Sequence, residues 1–450
     1  MKNKKKKVLI AIGDYFFMAI SLVVILVIRY QFAVTWELLY QHSGFVFVFL
    51  FWLVIFYSWD LYNLTEKMEN RNFLFAMIMN VVLSFSFFYI VDSDIAPKTN
   101  LVLTALVFSM FFYLWRFVIG ILFNQFSVAK KVLMVGADHY AMELIKKMVD
   151  NPRYGYKVAG LVKLPDTKLP DWFDKDEIKV FESIGDARKF VEAEGVSFVV
   201  ITQTWYGKVS QDIYSMIPLG LSIFNLPSFW ETLEQKIPIN ATNEIWFLEN
   251  LRTISRGLTD GLKRLLDLIL AIVLFPVLLS LGLIAALLVK ISSKGPIFYS
   301  QIRVGLNGRP FRIFKFRSMR VDAEKQGAQW STQNDPRITG IGRFLRSTRL
   351  DELPQIFNVL RGDMSFIGPR PERPEFVDEL AEVIPHYSLR HLVRPGLTGW
   401  AQINYPYGSS VEDAARKLEY DLYYLKNRGM LLDIKIILKT IMVVFARKGR

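Results

Sequence analysis

The sequence predicts a membrane protein with three parts: an α-helical N-terminal bundle of four spans, an α/β Rossmann-like domain and a mixed α/β domain. Three observations support this. Apolar residues make up 52% of the 450 residues and fall in long blocks. A strand–turn–helix alternation begins near residue 130, and a fifth apolar block precedes a basic region. The chain has no cysteine, which excludes a disulfide framework, a Cys-ligated metal and a thiol nucleophile.

Four apolar blocks lie within residues 1–129. Residues 8–30, 44–62, 72–91 and 101–123 each reach about the 20 residues that cross a bilayer. The N-terminus reads MKNKKKK and basic residues follow the fourth block, whereas the loops near 31–43 and 92–99 carry little basic charge. The positive-inside rule therefore predicts four spans with both ends in the cytoplasm. Arg116, late in the fourth block, can either pair with a neighbouring side chain or extend to the membrane surface, and we expect the second.

Residues 130–250 have the pattern of an α/β domain. The segment KVLMVGADHYAMELIKKM (131–148) predicts a strand, a turn and an amphipathic helix, and apolar runs at 157–163 and 196–202 predict further strands. Only Gly136 keeps its place in a GxGxxG fingerprint, because Asp138 and Ala141 replace the other two glycines. A turn without the second glycine approaches a pyrophosphate poorly. We expect a degenerate Rossmann-like structural or regulatory module here.

The fifth apolar block spans residues 266–290 and contains Pro276. Basic residues flank both of its ends, so the charge rule gives no orientation. Proline lacks an N–H and its ring clashes with the preceding turn, which kinks a helix. The residues alone leave two structures open: a helix that breaks at Pro276 and returns to the same face, and a kinked fifth span.

The region after the fifth block is strongly basic. An Asn-Gly pair at 307–308 predicts a hairpin within 296–319, whose second strand carries Lys315 and Arg317. Asp351 and Glu352 come just before Pro354, a residue suited to the first turn of a helix. Acids at a helix start favour the helix dipole, so charge balance is the simpler explanation of the pair.

Arginines around the acid pair point to phosphate chemistry. The run GPRPERP (368–374) is stiffened by prolines and presents Arg370 and Arg373, whose guanidinium groups suit phosphate oxygens. A basic loop against anionic lipid is the alternative. An ionised Asp can attack phosphorus, and a neighbouring Glu can hold Mg2+. Nucleic acid does not fit, since no recognition helix or RNA-binding motif is present.

Three motifs in order, KFRSM (315–319), LDELPQIFNVLRGDMSFIGPRPERPEF (350–376) and RPGLTGWAQIN (394–404), resemble the bacterial sugar transferase family of polyprenyl-phosphate phosphoglycosyl transferases. The resemblance covers about 258–450. It implies a mixed α/β catalytic domain with a re-entrant membrane helix over 266–290, broken at Pro276. The whole layout resembles the large members of the family, which start capsule, exopolysaccharide or O-antigen synthesis on the cytoplasmic face of the bacterial inner membrane.

The resemblance also implies a reaction and a site. A UDP-sugar donates its sugar-1-phosphate to undecaprenyl phosphate and releases UMP, with Asp351 as the covalent nucleophile and Glu352 as the Mg2+ ligand. UDP-glucose is our first choice of donor and UDP-galactose the next, and a homodimer fits the large layout. The remaining residues expected near the nucleotide phosphates are Lys315, Arg317, Arg346, Pro369, Arg370, Pro371 and Arg373.

Two features depart from the family pattern. Members often have a Ser-Pro or double-proline break where this chain has Phe275-Pro276, and the Rossmann fingerprint is more eroded than in many relatives. Two other functions make different demands on the sequence. A membrane-bound nucleotide-sugar dehydratase needs an intact glycine fingerprint and a Tyr-x-x-x-Lys pair, and neither is found. A non-enzymatic regulator of polysaccharide assembly would release no UMP.

Overall fold

The computed structural model of the chain describes twelve stretches of sequence and two compact units. The stretches are residues 2–31, 34–62, 70–90, 98–126, 129–163, 167–206, 209–251, 257–292, 294–323, 335–405, 408 and 410–445. The N-terminal unit comprises Met1–Val200 and Lys208–Ile223, and the C-terminal unit comprises Ile201–Gly207 and Phe224–Arg450.

The N-terminal unit begins with apolar helices. They are α1 (Lys2–Arg29), α2 (Trp36–Gln41), α3 (Gly44–Ser58), α4 (Asn70–Ile90) and α5 (Lys98–Phe126). Helices α1, α4 and α5 are long and apolar enough to cross a membrane. Helix α3 has 15 residues, or about 22 Å at 1.5 Å per residue, so it is shorter than the predicted block 44–62. The four predicted apolar helices are confirmed, and they indicate a membrane protein.

Helices α1 and α5 are joined by a buried ion pair. The Arg116 guanidinium lies 2.8 Å from the Asp14 carboxylate, and Asp14 is fully buried. Arg116 also lies over the ring of Phe112, 4.4 Å from its centroid. The expectation that Arg116 extends to the membrane surface is therefore wrong, because an acid on the first helix neutralises it inside the bundle.

The region after α5 forms a five-stranded sheet. Its strands are β1 (Lys130–Val135), β2 (Tyr156–Val162), β3 (Lys179–Phe181), β4 (Phe198–Ile201) and β5 (Ser222–Asn225), in the order β3-β2-β1-β4-β5. The pairs β1–β2 and β2–β3 are parallel. Helices α6 (His139–Asp150), α7 (Ile184–Glu194), α8 (Gln203–Tyr206) and α9 (Ser210–Tyr214) alternate with the strands. The predicted α/β region is confirmed.

The turn after β1 shows what Asp138 does in the place of the second fingerprint glycine. Gly136 has a φ of 103°, which favours glycine. The Asp138 side chain caps α6 by accepting a hydrogen bond from the Ala141 N–H at 2.8 Å. A carboxylate thus occupies the helix N-terminus that would bind phosphate in a dinucleotide site.

The remaining elements belong to the C-terminal unit. Apart from two three-residue 3₁₀ helices (Ile239–Ala241 and Leu306–Gly308), they are in order α10 (Leu226–Glu234), α11 (Glu244–Asn250), α12 (Gly257–Ser292), β6 (Phe298–Val304), β7 (Pro310–Phe316), α13 (Gly340–Ser347), a 3₁₀ helix (Leu350–Gln355), α14 (Ile356–Arg361), β8 (Ser365–Ile367), α15 (Pro374–Val383), a second 3₁₀ helix (Tyr387–Leu392), β9 (Gly396–Thr398), α16 (Trp400–Asn404), α17 (Val411–Asn427) and α18 (Met430–Phe445).

One core of this unit unites distant parts of the chain. Trp246 and Phe247 of α11 pack with Leu380 of α15 and with Leu418 and Leu422 of α17. Residues 226–250, which our prediction assigns to the Rossmann-like domain, therefore share a core with the predicted catalytic domain.

Helix α12 is continuous through Pro276, and both of its halves pack against other elements of the C-terminal unit. Before the proline, Ala271 contacts a cluster that includes Val359 of α14. After it, Ala285 and Val289 pack with Leu345 of α13. Other faces of α12 are exposed and apolar, as at Ile272 and Leu283. The return of the chain at Pro276 stays a prediction.

Candidate active site

A hairpin and a 3₁₀ helix bring the first two sequence motifs together. Strands β6 and β7 pair in antiparallel fashion around the predicted turn, where Asn307 has a φ of 55°. This confirms the predicted hairpin and places Lys315 near the end of β7. Asp351 and Glu352 lie in the first turn of the 3₁₀ helix. The predicted helix start is confirmed, although the first turns are 3₁₀ and continue into α14.

Glu352 is surrounded by cations. Its Oε1 accepts hydrogen bonds from Arg370 Nη2 at 2.6 Å and from Lys315 Nζ at 3.2 Å. Its Oε2 lies 3.5 Å from Arg349 Nη1. Burial alone would raise the pKa of Glu352, but Arg370, Lys315 and Arg349 together lower it well below its usual value. Glu352 is therefore a permanent anion in this site.

Asp351 lies beside Glu352, but its pKa is shifted in the opposite direction. Its side chain is buried, with the residue 8% exposed. Burial, with a smaller contribution from the Glu352 charge, raises the pKa of Asp351 to about 6, although Lys315, Arg346 and Arg370 oppose the change. Adjacent acids whose pKa values are pushed apart are typical of sites that give two carboxylates two roles.

Lys315 is the cation shared by both acids. Burial lowers the pKa of Lys315, while the Glu352 charge opposes that shift. Its position depends on Asn358 of α14, which is fully buried. The Asn358 amide donates to the Arg312 carbonyl at 2.7 Å and accepts from the Phe314 N–H at 3.3 Å. Asn358 thus fixes β7 to the helix that follows the acid pair.

The Pro-Arg-Pro segment is held through three successive carbonyl groups. The Pro369 carbonyl accepts from the Gly396 N–H at 2.9 Å. The Arg370 carbonyl accepts from Arg390 Nη2 at 3.1 Å, and the Pro371 carbonyl accepts from Arg303 Nη1 at 3.1 Å. Prolines have no N–H to offer, so the carbonyls provide the anchoring.

Two glycines let the second and third motifs touch. Strands β8 and β9 are parallel neighbours. A Cβ on Gly368 would lie 2.2 Å from the Arg394 carbonyl oxygen, and one on Gly396 would lie 2.1 Å from the Gly368 nitrogen. Only glycine fits at either position.

The other predicted site residues occupy different surroundings. Arg346 lies in the last turn of α13, and its positive charge opposes the rise in the pKa of Asp351. Arg317 is buried directly after β7, and its guanidinium lies against Gly295. Arg373 pairs with Glu375 at 3.4 Å and lies over the Phe376 ring. The structure therefore gathers Lys315, Arg346 and Arg370 at the acid pair and directs Arg373 elsewhere.

Sequence reasoning missed Arg303, Asn358 and Arg390. Each has a partner far away in the sequence: Pro371 for Arg303, Arg312 for Asn358 and Arg370 for Arg390. The signal available was a single polar side chain inside a mostly apolar stretch, as for Asn358 in IFNVL. That signal is weak without the fold.

The acid pair could take part in a Mg2+ site. Among the residues that the structure describes, no group of three or more His, Cys, Asp or Glu side chains could hold a metal by itself. Mg2+ needs only one or two carboxylates when substrate phosphates and water complete its shell. Two adjacent carboxylates beside Lys315 and Arg370 fit that donor set, with Glu352 as the group whose pKa is lowered.

Comparison with known proteins gives consistent matches. Residues 258–447 match the sequence model of the family described as bacterial sugar transferase. The chain is 48% identical over 336 residues to the UDP-glucose:undecaprenyl-phosphate glucose-1-phosphate transferase of Xanthomonas campestris pv. campestris, covering 71% of this chain and 67% of the relative. It is 31% identical over 323 residues to the protein of the same name in Escherichia coli (strain K12), covering 71% and 69%.

A third relative carries a different sugar in its name. This is the UDP-N-acetylgalactosamine-undecaprenyl-phosphate N-acetylgalactosaminephosphotransferase of Aeromonas hydrophila, which is 46% identical over 229 residues. The match covers 51% of this chain and 53% of the relative, so this chain spans about half of that protein's length.

Proposed function

Because this chain belongs to the bacterial sugar transferase family, an enzyme family, we propose that it transfers hexose-1-phosphate from a UDP-sugar to undecaprenyl phosphate and releases UMP. It is an enzyme of the undecaprenyl-phosphate sugar phosphotransferase class. UDP-glucose is our first choice of donor, supported by the names of the two relatives that match about two-thirds of their length. The product is the first lipid-linked intermediate of a surface polysaccharide, such as a capsule or an exopolysaccharide.

The observation that carries the proposal is a pair of adjacent acids, Asp351 and Glu352, whose pKa values are shifted in opposite directions. Asp351 has a pKa of about 6 and is ionised at neutral pH. In the first step a carboxylate oxygen of Asp351 attacks the sugar-bearing phosphorus. The bond from that phosphorus to the bridging oxygen breaks, and UMP leaves with the bonding electrons. In the second step an oxygen of undecaprenyl phosphate attacks the same phosphorus and returns Asp351 as a carboxylate.

The surrounding side chains stabilise charge on the phosphates. Lys315 and Arg370, held at Glu352, supply cations beside the reacting group, and Arg346 adds a third. Mg2+ held by Glu352 would neutralise charge on the diphosphate when bound. Glu352 is not a competing nucleophile, because an attack would break its contacts with Arg370, Lys315 and Arg349.

Helix α12 supports the membrane arrangement that we propose. Its two halves pack against the same unit while apolar side chains such as Ile272 and Leu283 stay exposed. We propose that α12 is re-entrant at Pro276, with the active site on the cytoplasmic face of the bacterial inner membrane. The strand order matches the first five strands of a doubly wound fold, so we propose a Rossmann-like module with no dinucleotide site. A homodimer belongs to the same proposal.

Two variants test the chemistry. Asp351→Asn should abolish UMP release and the radiolabelled sugar-phosphate adduct that forms when the polyprenyl acceptor is withheld. Asp378→Asn, an exposed acid on α15, should leave both unchanged. Normal turnover by Asp351→Asn would exclude the proposed nucleophile. A panel of UDP-glucose, UDP-galactose and UDP-N-acetylgalactosamine then identifies the donor from the rate of UMP release.

The topology has its own test, since the chain contains no cysteine. Single cysteines at Gly261 and Lys294 flank the apolar block 266–290 of α12. A re-entrant helix predicts that an impermeant thiol reagent labels both from the cytoplasmic face of inverted vesicles. A spanning helix predicts labelling of only one.

A further inference from the structure

We propose that Arg390 is a positioning residue that, together with Asp421, fixes the backbone of the Pro-Arg-Pro segment and so places Arg370 beside Glu352. The inference rests on the proposed function, because it assigns to Arg370 a role in binding the donor phosphates. Arg390 lies in the second 3₁₀ helix and Asp421 in α17, both away from the reacting groups.

Arg390 makes three contacts in three directions. Its Nη2 donates to the Arg370 carbonyl at 3.1 Å and lies 2.8 Å from Asp421 Oδ2. Its Nη1 donates to the Tyr387 hydroxyl at 2.6 Å. The Arg390 and Asp421 side chains are 6% and 2% exposed, so the pair is out of solvent. A planar guanidinium with fixed donors can serve all three partners at once, whereas the compact ammonium of lysine cannot.

The Pro-Arg-Pro segment depends on such an anchor. Arg370 stands between two residues without an N–H, so neighbouring strands cannot hold the segment by ordinary pairing on both sides. Its carbonyl is the anchor nearest the side chain that donates to Glu352 Oε1 at 2.6 Å. If Arg390 were lost, this carbonyl would be free to turn, and the Arg370 guanidinium would move with it.

The buried pair is difficult to justify by stability alone. Moving two charged side chains out of water carries a desolvation penalty, which their mutual attraction repays only when the geometry is excellent. Apolar residues of similar volume in the same place often give a protein that is equally stable. Retaining Arg390 and Asp421 makes physical sense if their geometry, rather than their energy, is required. That distinction can be tested.

The first experiment separates positioning from stability in the full-length enzyme. Arg390→Met alone leaves Asp421 buried without its cation and should lower the melting temperature. The double variant Arg390→Met/Asp421→Leu replaces both groups with apolar residues of related shape and should recover that temperature. We expect the KM for the UDP-sugar to stay raised about tenfold in the double variant, since the Arg370 carbonyl still lacks its donor. Recovery of the melting temperature and of KM together would overturn the proposal.

The second experiment is a double-mutant cycle with Arg370→Ala. If Arg390 acts through Arg370, adding Arg390→Met/Asp421→Leu to Arg370→Ala should change the donor KM by less than about twofold. If the combined variant instead raises the donor KM by the product of the two separate increases, the proposal is overturned. The matched control is Lys236→Met, which breaks the buried Lys236–Glu419 pair of 2.8 Å on the same α17. This control should lower the melting temperature and leave the donor KM unchanged.

These results are separate from the proposed reaction. The Asp351→Asn adduct assay decides whether the aspartyl-phosphate chemistry is correct. An unchanged KM in Arg370→Ala would remove the role that Arg390 supports, and it would overturn the positioning proposal even if the adduct forms.

Discussion

Asp351→Asn is expected to raise the thermal stability of the C-terminal unit at pH 8 while it removes activity. The reason is the environment of the carboxylate. Burial raises the pKa of Asp351 from 3.8 to about 6, even though Lys315, Arg346 and Arg370 attract its charge. Asparagine has the same shape and no charge, so the variant avoids the cost of the buried anion.

The magnitude follows from linkage. A rise of about two pKa units at 1.36 kcal/mol per unit gives about 3 kcal/mol of destabilisation. The folded pKa is higher than the unfolded one, so the folded state binds more protons between the two values. The cost is full above about pH 6, decreases as the pH falls and disappears below 3.8. At pH 5, roughly half of it remains.

The assay is thermal unfolding of the full-length chain in detergent, without Mg2+, at pH 8 and pH 5. For a domain of this size 1 kcal/mol corresponds to roughly 2–4 °C, so Asp351→Asn should unfold about 6–12 °C higher than the wild type at pH 8 and by about half that at pH 5. Asp378→Asn, the exposed acid on α15, should shift neither value.

One result would refute the reasoning. A lower melting temperature for Asp351→Asn at pH 8 would mean that the neighbouring cations stabilise the carboxylate by more than its burial costs. An equal difference at both pH values would show that some other effect of the substitution dominates.

Three further predictions follow from the same contacts. Asn358→Ala should cost about 2–3 kcal/mol of stability and reduce turnover, because two buried backbone groups of β7 lose their partner; an unchanged denaturation midpoint would contradict this. Gly368→Ala should prevent folding, since its Cβ would lie 2.2 Å from a carbonyl oxygen, whereas Gly261→Ala has open space and should behave as wild type in gel filtration. Removal of Mg2+ by EDTA should stop UMP release, and added Mg2+ should restore it; activity in EDTA would argue against a metal at Glu352.

Much of the fold follows from local patterns. The strand and helix at 131–148, the hairpin around Asn307 and the helix start at Asp351 are each encoded by residues close in sequence. The patterns that predict them are hydrophobic periodicity, an Asn-Gly turn and a proline after two acids. Each involves only a few neighbouring residues, so it can be recognised from the sequence alone. The apolar blocks can be recognised for the same reason, although the predicted block 44–62 is several residues longer than α3.

The parts that could not be predicted depend on contacts between distant residues. Asp14 and Arg116 are 102 positions apart, and either charge alone suggests a side chain that seeks water. Arg390 and Asp421 belong to different helices, and Asn358 reaches across to a strand. Which polar residues are buried together is decided by tertiary packing, on which periodicity carries no information.

The electrostatics of the acid pair support Asp351 over Glu352 as the proposed nucleophile more strongly than sequence position does. In sequence the two acids are equivalent neighbours at a helix start. In the fold, both oxygens of Glu352 are engaged by Arg370, Lys315 and Arg349, so its negative charge is fixed and its motion is restricted. Asp351 carries the energetic cost of burial instead, and a bond from its oxygen to phosphorus would take the negative charge off the buried carboxylate and leave it on the phosphoryl oxygens. The site therefore favours covalent bond formation at Asp351 and anion retention at Glu352, which is the division of labour that a phosphate-transferring aspartate requires.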